Sequence, residues 1–308
     1  MTPAPPLRTA RTPVLDVAYE QTGPDDGTPV VLLHGFPYDV RQYDAVRDRL
    51  ARPDRRVVVP YLRGFGPTRY RSPEVPRSGQ QAALGRDVVD LLDALGIGRA
   101  VLVGYDWGGR AACVAAALWP ERVAGLLSAG GYVVQDIARA ASTPAPPDQA
   151  HAEWYQHYFN TAQGRLGLAA DRDGFCRLLW RLWSPGWRFT DAEYARTAAA
   201  FANPDFVDTV IHSYRHRYAN APGDPALEAL EARLAAQPAI AAPTVVLHGA
   251  ADAVEPPAFT AAQERHFAGG YARAGLPGVG HCVPAEAPDA VARAVEALLA
   301  GRASAGEP

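Results

Sequence analysis

Asp106 stands at the centre of Gly104-Tyr105-Asp106-Trp107-Gly108, inside the stretch "VLVGYDWGGRAA" that runs from Val101 to Ala112. Glycines flanking one central residue allow a sharp turn between an apolar run and a helical one. Such an elbow lifts the central side chain over a sheet edge, and the helix N-terminus behind it favours a developing negative charge. A carboxylate there is a poor match for ordinary ester or peptide cleavage. It can attack an sp³ carbon and expel an alkoxide or a halide, forming an alkyl–enzyme ester. Water can then attack the carbonyl carbon of that ester, the Cγ of Asp106.

Three other segments carry what this two-step chemistry needs. His34-Gly35-Phe36-Pro37 follows the apolar run Val30 to Leu33. The N–H of Phe36, with that of Trp107, would hold the oxyanion formed when water attacks. Asp252 lies after the strand-like run in "TVVLHGAADAVEPP", and His281 lies in the glycine-rich "GVGHCVPAEAPDAV". His281 is the candidate base that activates water, and Asp252 the acid that orients its ring. Asp136 is the second candidate for the acid. The chain has eight histidines; His281 is favoured because it follows the last candidate strand and precedes the last helix.

These residues need a rigid frame. Val30 to Leu33, Val57 to Val59, Ala100 to Val103, Val123 to Leu127 and Thr244 to Leu247 read as short buried strands. Helical patterns alternate with them. "QQAALGRDVVDLLDALG" places Leu84, Val88, Leu91, Leu92 and Leu95 on one face, with Gly96 suited to a C-cap. The helix after the elbow is stopped by Pro120, and the last one starts at Pro288. The alternation predicts an α/β fold with a mostly parallel central sheet flanked by helices. Residues 133–238 show no convincing strand and many aromatic residues. They read as an inserted helical cap between two parts of the core, 1–132 and 239–308. The tail "GRASAGEP" is expected to be disordered.

Composition narrows the partners. The chain has 308 residues, 48% of them hydrophobic, and a formal charge of −3. Nothing in that balance points to nucleic acid or an anionic membrane surface. No apolar run approaches the ~20 residues that span a bilayer. The N-terminal segment lacks a secretory apolar core, and three scattered cysteines suggest neither a disulfide framework nor a metal site. A cytoplasmic location is expected, without metal or organic cofactor. The oligomeric state stays open.

The pieces "HGFP", "RGFGPT", "GYDWGG", "GAADAVEPP" and "GVGHCVPAEAP" together resemble the α/β-hydrolase superfamily, in its branch of epoxide hydrolases and haloalkane dehalogenases. The resemblance runs over nearly the whole chain and is closest to the epoxide hydrolases. It implies an enzyme with the Asp106, Asp252 and His281 roles given above. It also implies two cap tyrosines that donate a proton to the epoxide oxygen. "EWYQHYFN" is similar to the motif carrying the first, at Tyr155 with Gln156 beside it; "IHSYRHRY" is similar to that of the second, at Tyr214. Tyr158 and Tyr218 compete with them.

The alternative is a haloalkane or haloacid dehalogenase using the same Asp106. The Trp107 indole could bind a halide, but Phe36 stands where such enzymes often place an Asn donor. Fluoroacetate dehalogenases carry two elbow arginines, of which only Arg110 has a counterpart. A biosynthetic tailoring enzyme or a non-catalytic ligand-binding member is the remaining alternative. Trp180, Trp183 and Trp187 in "LLWRLWSPGW" read either as cap packing or as the aromatic wall of a substrate pocket. The expected partner is a small apolar or aromatic epoxide, or an organohalide. Arg63 is expected to fix a loop and Cys282 to be an unreactive neighbour of His281.

Overall fold

A computed structural model describes residues 4–304; the last four residues of the tail expected to be disordered lie outside the described residues. Nine strands form one sheet: β1 (Leu7–Arg11), β2 (Leu15–Thr22), β3 (Thr28–Leu33), β4 (Arg55–Pro60), β5 (Arg69–Tyr70), β6 (Ala100–Tyr105), β7 (Val123–Ala129), β8 (Thr244–Gly249) and β9 (Tyr271–Leu276). Their order is β1-β2-β4-β3-β6-β7-β8-β9, with β5 beside β2. β1, β2 and β5 pair antiparallel, as do β2 and β4, and every pairing from β4 through β3 to β9 is parallel.

The five expected strands are the central ones. Val57, Val58 and Val59, like Val30 to Leu33, are buried on both faces, which is why they read as unbroken apolar runs. Sequence reading missed the others. β2 carries four polar residues, Asp16, Glu20, Gln21 and Thr22, among its eight, and its Glu20 is buried in an ion pair with Arg47. β1 and β9 are edges: four of the five β1 residues are exposed and none of the six in β9 is buried, so they carry little apolar signal.

Helices α1 (Asp44–Leu50), α2 (Gln81–Ala94), α3 (Asp106–Leu118), α12 (Val283–Glu286) and α13 (Pro288–Leu299) accompany the sheet. Gly96 adopts φ 65°, in the left-handed region that ends a helix well. Between β7 and β8 the chain is helical: α4 (Ile137–Ser142), α5 (Pro147–Ala152), α6 (Trp154–Phe159), α7 (Ala162–Ala170), α8 (Arg172–Trp183), α9 (Asp191–Ala198), α10 (Phe206–His216) and α11 (Glu228–Ala235). No helix among the described residues is long and apolar enough to cross a membrane.

This helical layer is tied to the loop after β3. Trp180 Nε1 donates to the Pro37 carbonyl at 2.7 Å, and Gln42 Nε2 to Thr197 Oγ1 at 2.9 Å. Phe36 stacks with Phe206 and lies edge-on to Phe159 and Tyr214. Trp180, Phe159, Phe206 and Tyr214 are fully buried. Each such side chain contributes about 1.5–3 kcal/mol, so the layer is held by apolar burial and positioned by a few hydrogen bonds.

Candidate active site

β6 ends at Tyr105 and α3 begins at Asp106. Asp106 has φ 50°, a left-handed conformation that is strained for a residue with a side chain. The neighbouring glycines make room for it. A Cβ on Gly108 would fall 2.0 Å from the Leu33 carbonyl oxygen, and one on Gly35 would fall 2.6 Å from Asp106 Cβ. The elbow therefore presses against the end of β3. That brings two backbone donors onto one oxygen: Phe36 N–H reaches Asp106 Oδ1 at 2.6 Å, and Trp107 N–H reaches it at 2.5 Å. His34 fixes this loop from below. Its Nε2 accepts from Leu62 N–H at 3.0 Å and its Nδ1 lies 3.0 Å from the Gly35 carbonyl. Burial pulls it down to about 4, so it is a neutral brace.

His281 follows β9, and its Nδ1 lies 2.8 Å from Asp252 Oδ2. The other Asp252 oxygen accepts from Val254 and Glu255 N–H, both at 2.9 Å. These bonds fix the carboxylate that orients the ring. Nε2 of His281 is buried, lacks a hydrogen-bond partner among the described residues and faces Asp106 Oδ2 at 3.8 Å. Asp136 has a different task from the one considered for it: it caps α4, accepting from Arg139 N–H. The acid beside the histidine is Asp252.

Helices α6 and α10 bring Tyr155 and Tyr214 together, with ring centroids 5.4 Å apart. Both are buried. Burial pushes both phenols above their ordinary range, and the charge of Asp106 adds to it. Each is therefore a neutral donor. Trp107 Nε1 donates to the Tyr214 oxygen at 3.3 Å, and Gln156 Nε2 to the Tyr155 oxygen at 3.2 Å. Each phenol oxygen thus accepts one N–H, and the two phenols also interact with each other.

The competing tyrosines sit elsewhere: Tyr158 stacks on Phe175, and Tyr218 donates to Gln156 Oε1 at 3.3 Å. Of the three tryptophans, Trp183 alone joins this group, 4.9 Å from Tyr155 and 5.1 Å from His281. Trp180 and Trp187 stack on one another, and their other ring contacts are with Tyr38, Phe189 and Tyr194. They act as packing of the layer and do not line the group around Asp106. Arg63 is a loop anchor, bound to Asp87 at 2.6 and 2.7 Å and to the Ser78 carbonyl. Cys282 is buried and burial pushes its thiol up, which disfavours the reactive thiolate.

A family model of the alpha/beta hydrolase fold matches residues 28–288. The chain belongs to the α/β-hydrolase fold family. Epoxide hydrolase B of Mycobacterium tuberculosis is 34% identical over 160 residues, covering 48% of this chain and 44% of that protein. Human epoxide hydrolase 4 is 36% identical over 109 residues, 33% of this chain and 27% of that protein. The matched regions thus span less than half of these curated relatives. A crystal structure from Klebsiella pneumoniae, described as a candidate epoxide hydrolase, is 42% identical with TM-score 0.92, covering 95% of this chain and 96% of its own. One from Pseudomonas aeruginosa has TM-score 0.78 at 24% identity, over 98% of both chains, a likeness of fold alone.

Several groups around this α/β-hydrolase site escaped sequence reading. Ser184, just past α8, accepts His281 N–H at 2.9 Å and Cys282 N–H at 3.3 Å, and donates to Glu286 Oε1 at 2.7 Å. It pins the histidine loop to the helical layer, a pairing across 97 residues that no local pattern carries. Glu255 is a half-buried carboxyl that desolvation pushes up to about 7. Its oxygen lies 3.0 Å from where a Cβ on Gly130 would sit, so Gly130 leaves it space. Asp252, Glu255 and His281 hold ligand-type atoms within 4.8 Å of one another. The hydrogen bond between Asp252 and His281 already engages atoms that a cation would need.

Proposed function

We propose that this chain opens an epoxide to a vicinal diol through a covalent ester on Asp106. The observation that carries the reading is the pair of buried phenols, Tyr155 and Tyr214, gathered within the field of an elbow carboxylate. Asp106 Oδ2 attacks one epoxide carbon and the C–O bond of the ring breaks. The released alkoxide takes a proton from a phenol. Two N–H groups hold Oδ1, which leaves Oδ2, the oxygen facing His281, as the attacking atom.

Hydrolysis follows from the same positions. His281 takes a proton from water, whose oxygen bonds to Cγ of Asp106. The negative charge collects on Oδ1, where the N–H donors of Phe36 and Trp107 are already in place, so no reorganisation is needed. Collapse expels the diol oxygen, which takes the proton from His281. The second water proton, now on the new Asp106 carboxyl, restores the phenol. Phe36, Trp183 and Phe159 offer aromatic faces to an apolar substituent.

Dehalogenation by the same Asp106 is the second reading. It is favoured by one observation: Trp183 Nε1 is buried without a partner among the described residues, a donor that could take a halide. Against it, the Trp107 indole is engaged by Tyr214.

A single turnover in ¹⁸O water, with enzyme in excess, tests the covalent route. Label should enter Asp106 while the diol leaves unlabelled, as mass spectrometry of the peptide and product would reveal. Label passing directly into the diol would mean that water, and not Asp106, attacks the epoxide.

A further inference from the structure

Arg110 lies four residues beyond Asp106 on α3, and Arg217 directly follows α10. The Arg217 guanidinium carbon sits 4.6 Å from the Tyr214 ring centroid and 6.0 Å from that of Trp107. Arg110 is linked to the same place through Gln135. Its Nη1 lies 3.4 Å from Gln135 Oε1 and from Gln81 Oε1, while Gln135 Nε2 donates to the Arg217 carbonyl at 3.2 Å. Both cations feel the charge of Asp106, and they repel each other. Burial and Arg217 together pull Arg110 down to about 9.

Among the described residues, neither guanidinium has a carboxylate within 4.0 Å. The more deeply buried Arg47 and Arg63 are compensated differently. Arg47 is held by Glu20 and Asp44, and Arg63 by both oxygens of Asp87. Two neighbouring cations that touch only neutral amides and aromatic faces, with Asp106 acting on them at longer range, cost stability. A third, anionic party between them would remove that cost. A planar guanidinium is suited to bind a carboxylate through two N–H groups at once.

We propose that Arg110 and Arg217 form an anion subsite beside Tyr214, so that the epoxide opened here carries a carboxylate close to its ring. This rests on the epoxide reading above. Tyr214 would serve the epoxide oxygen while the two arginines hold the acid group, which fixes the ring relative to Asp106. The aromatic faces of Phe36 and Trp183 would take an apolar substituent.

Two probe pairs test it. The first is 3-phenylglycidate and its neutral amide, compared by kcat/KM. The second is 2,3-dihydroxy-3-phenylpropanoate and its amide, compared by calorimetry, which needs no turnover. The acid should be preferred in both pairs by roughly 10–100-fold. Arg110→Gln and Arg217→Gln should each collapse the acid-to-amide ratio toward one, while Arg217→Lys should retain part of it. Thermal melts of each variant separate loss of the subsite from loss of the fold. Equal binding of acid and amide by the unaltered protein would overturn the subsite, as would variants that weaken both alike. Selective binding of the dihydroxy acid without opening of either epoxide would overturn the epoxide reading and leave the subsite standing.

Discussion

Nε2 of His281 faces Oδ2 of Asp106 at 3.8 Å, too far for a hydrogen bond and close enough for each to feel the other's charge. Burial disfavours the imidazolium, but the carboxylates of Asp252, Asp106 and Glu255 outweigh it and hold His281 well above its ordinary value. On the proposed route, alkylation of Asp106 would delete one of those charges. The imidazolium would then lose support at the stage when a neutral base is required, so the chemistry of its neighbour would switch the histidine.

His281→Gln should trap that stage. The ester on Asp106 should accumulate, with a protein mass increase equal to the epoxide, while its hydrolysis slows by about 10²–10⁴-fold. In the unaltered enzyme, hydrolysis of the ester should slow as pH falls and His281 gains its proton. The midpoint in single-turnover experiments should lie below the His281 midpoint of the free enzyme, measured by NMR. Coincident midpoints would argue against the charge of Asp106 as the switch.

Ser184→Ala removes the acceptor of two backbone N–H groups and the donor to Glu286. Leaving such buried groups unmade costs about 1–3 kcal/mol, which should appear as a lower urea midpoint. The histidine loop should also shift enough to slow ester hydrolysis by about tenfold, with formation of the ester less affected. Equal slowing of both half-reactions would assign Ser184 to the fold as a whole.

The elbow, the loop bearing Phe36 and the Asp252–His281 pair were legible because each is local. A strand, a tight glycine turn and one functional side chain fit within about a dozen residues, and the chain order did the rest. Phe36 and Trp107 were readable for the same reason, since their donors are backbone groups fixed by the turns. The three tryptophans were not separable, because i, i+3 spacing on α8 gives no sign of which indole meets the site. Trp180 and Trp183 diverge only once α8 is laid across the loop holding Pro37. Arg217 and Glu255 are legible only in three dimensions, each gaining its meaning from charges far away in sequence.

Glu255 gives a stability prediction with a definite sign. Its folded value, about 7, lies above the ordinary 4.5. The native state therefore binds more protons than the unfolded chain between these values, and stability falls as pH rises through that window. Glu255→Gln keeps the shape and removes the charge. The variant should match the parent near pH 4.5 and exceed it by on the order of 1–3 kcal/mol at pH 8, seen as a Tm difference that opens across that range. A constant difference at every pH would show that packing, and not ionisation, sets the effect.

Tyr155→Phe and Tyr214→Phe address what leaves. Each removes a buried hydroxyl whose oxygen already accepts an N–H and which, on the proposed route, gives its proton to the alkoxide. Each variant should lower the rate of ester formation from an epoxide by about 10–100-fold, since one phenol remains, and the double variant should lose nearly all of it. Hydrolysis of the ester should change much less, because His281 and the two N–H donors are untouched. The two single variants should differ in one respect. Tyr214 lies under Arg217 and accepts from the Trp107 indole, so its loss frees that indole N–H for a halide. If Tyr214→Phe opens epoxides normally while either variant loses dehalogenation of a matched organohalide, the ranking of the two reactions reverses.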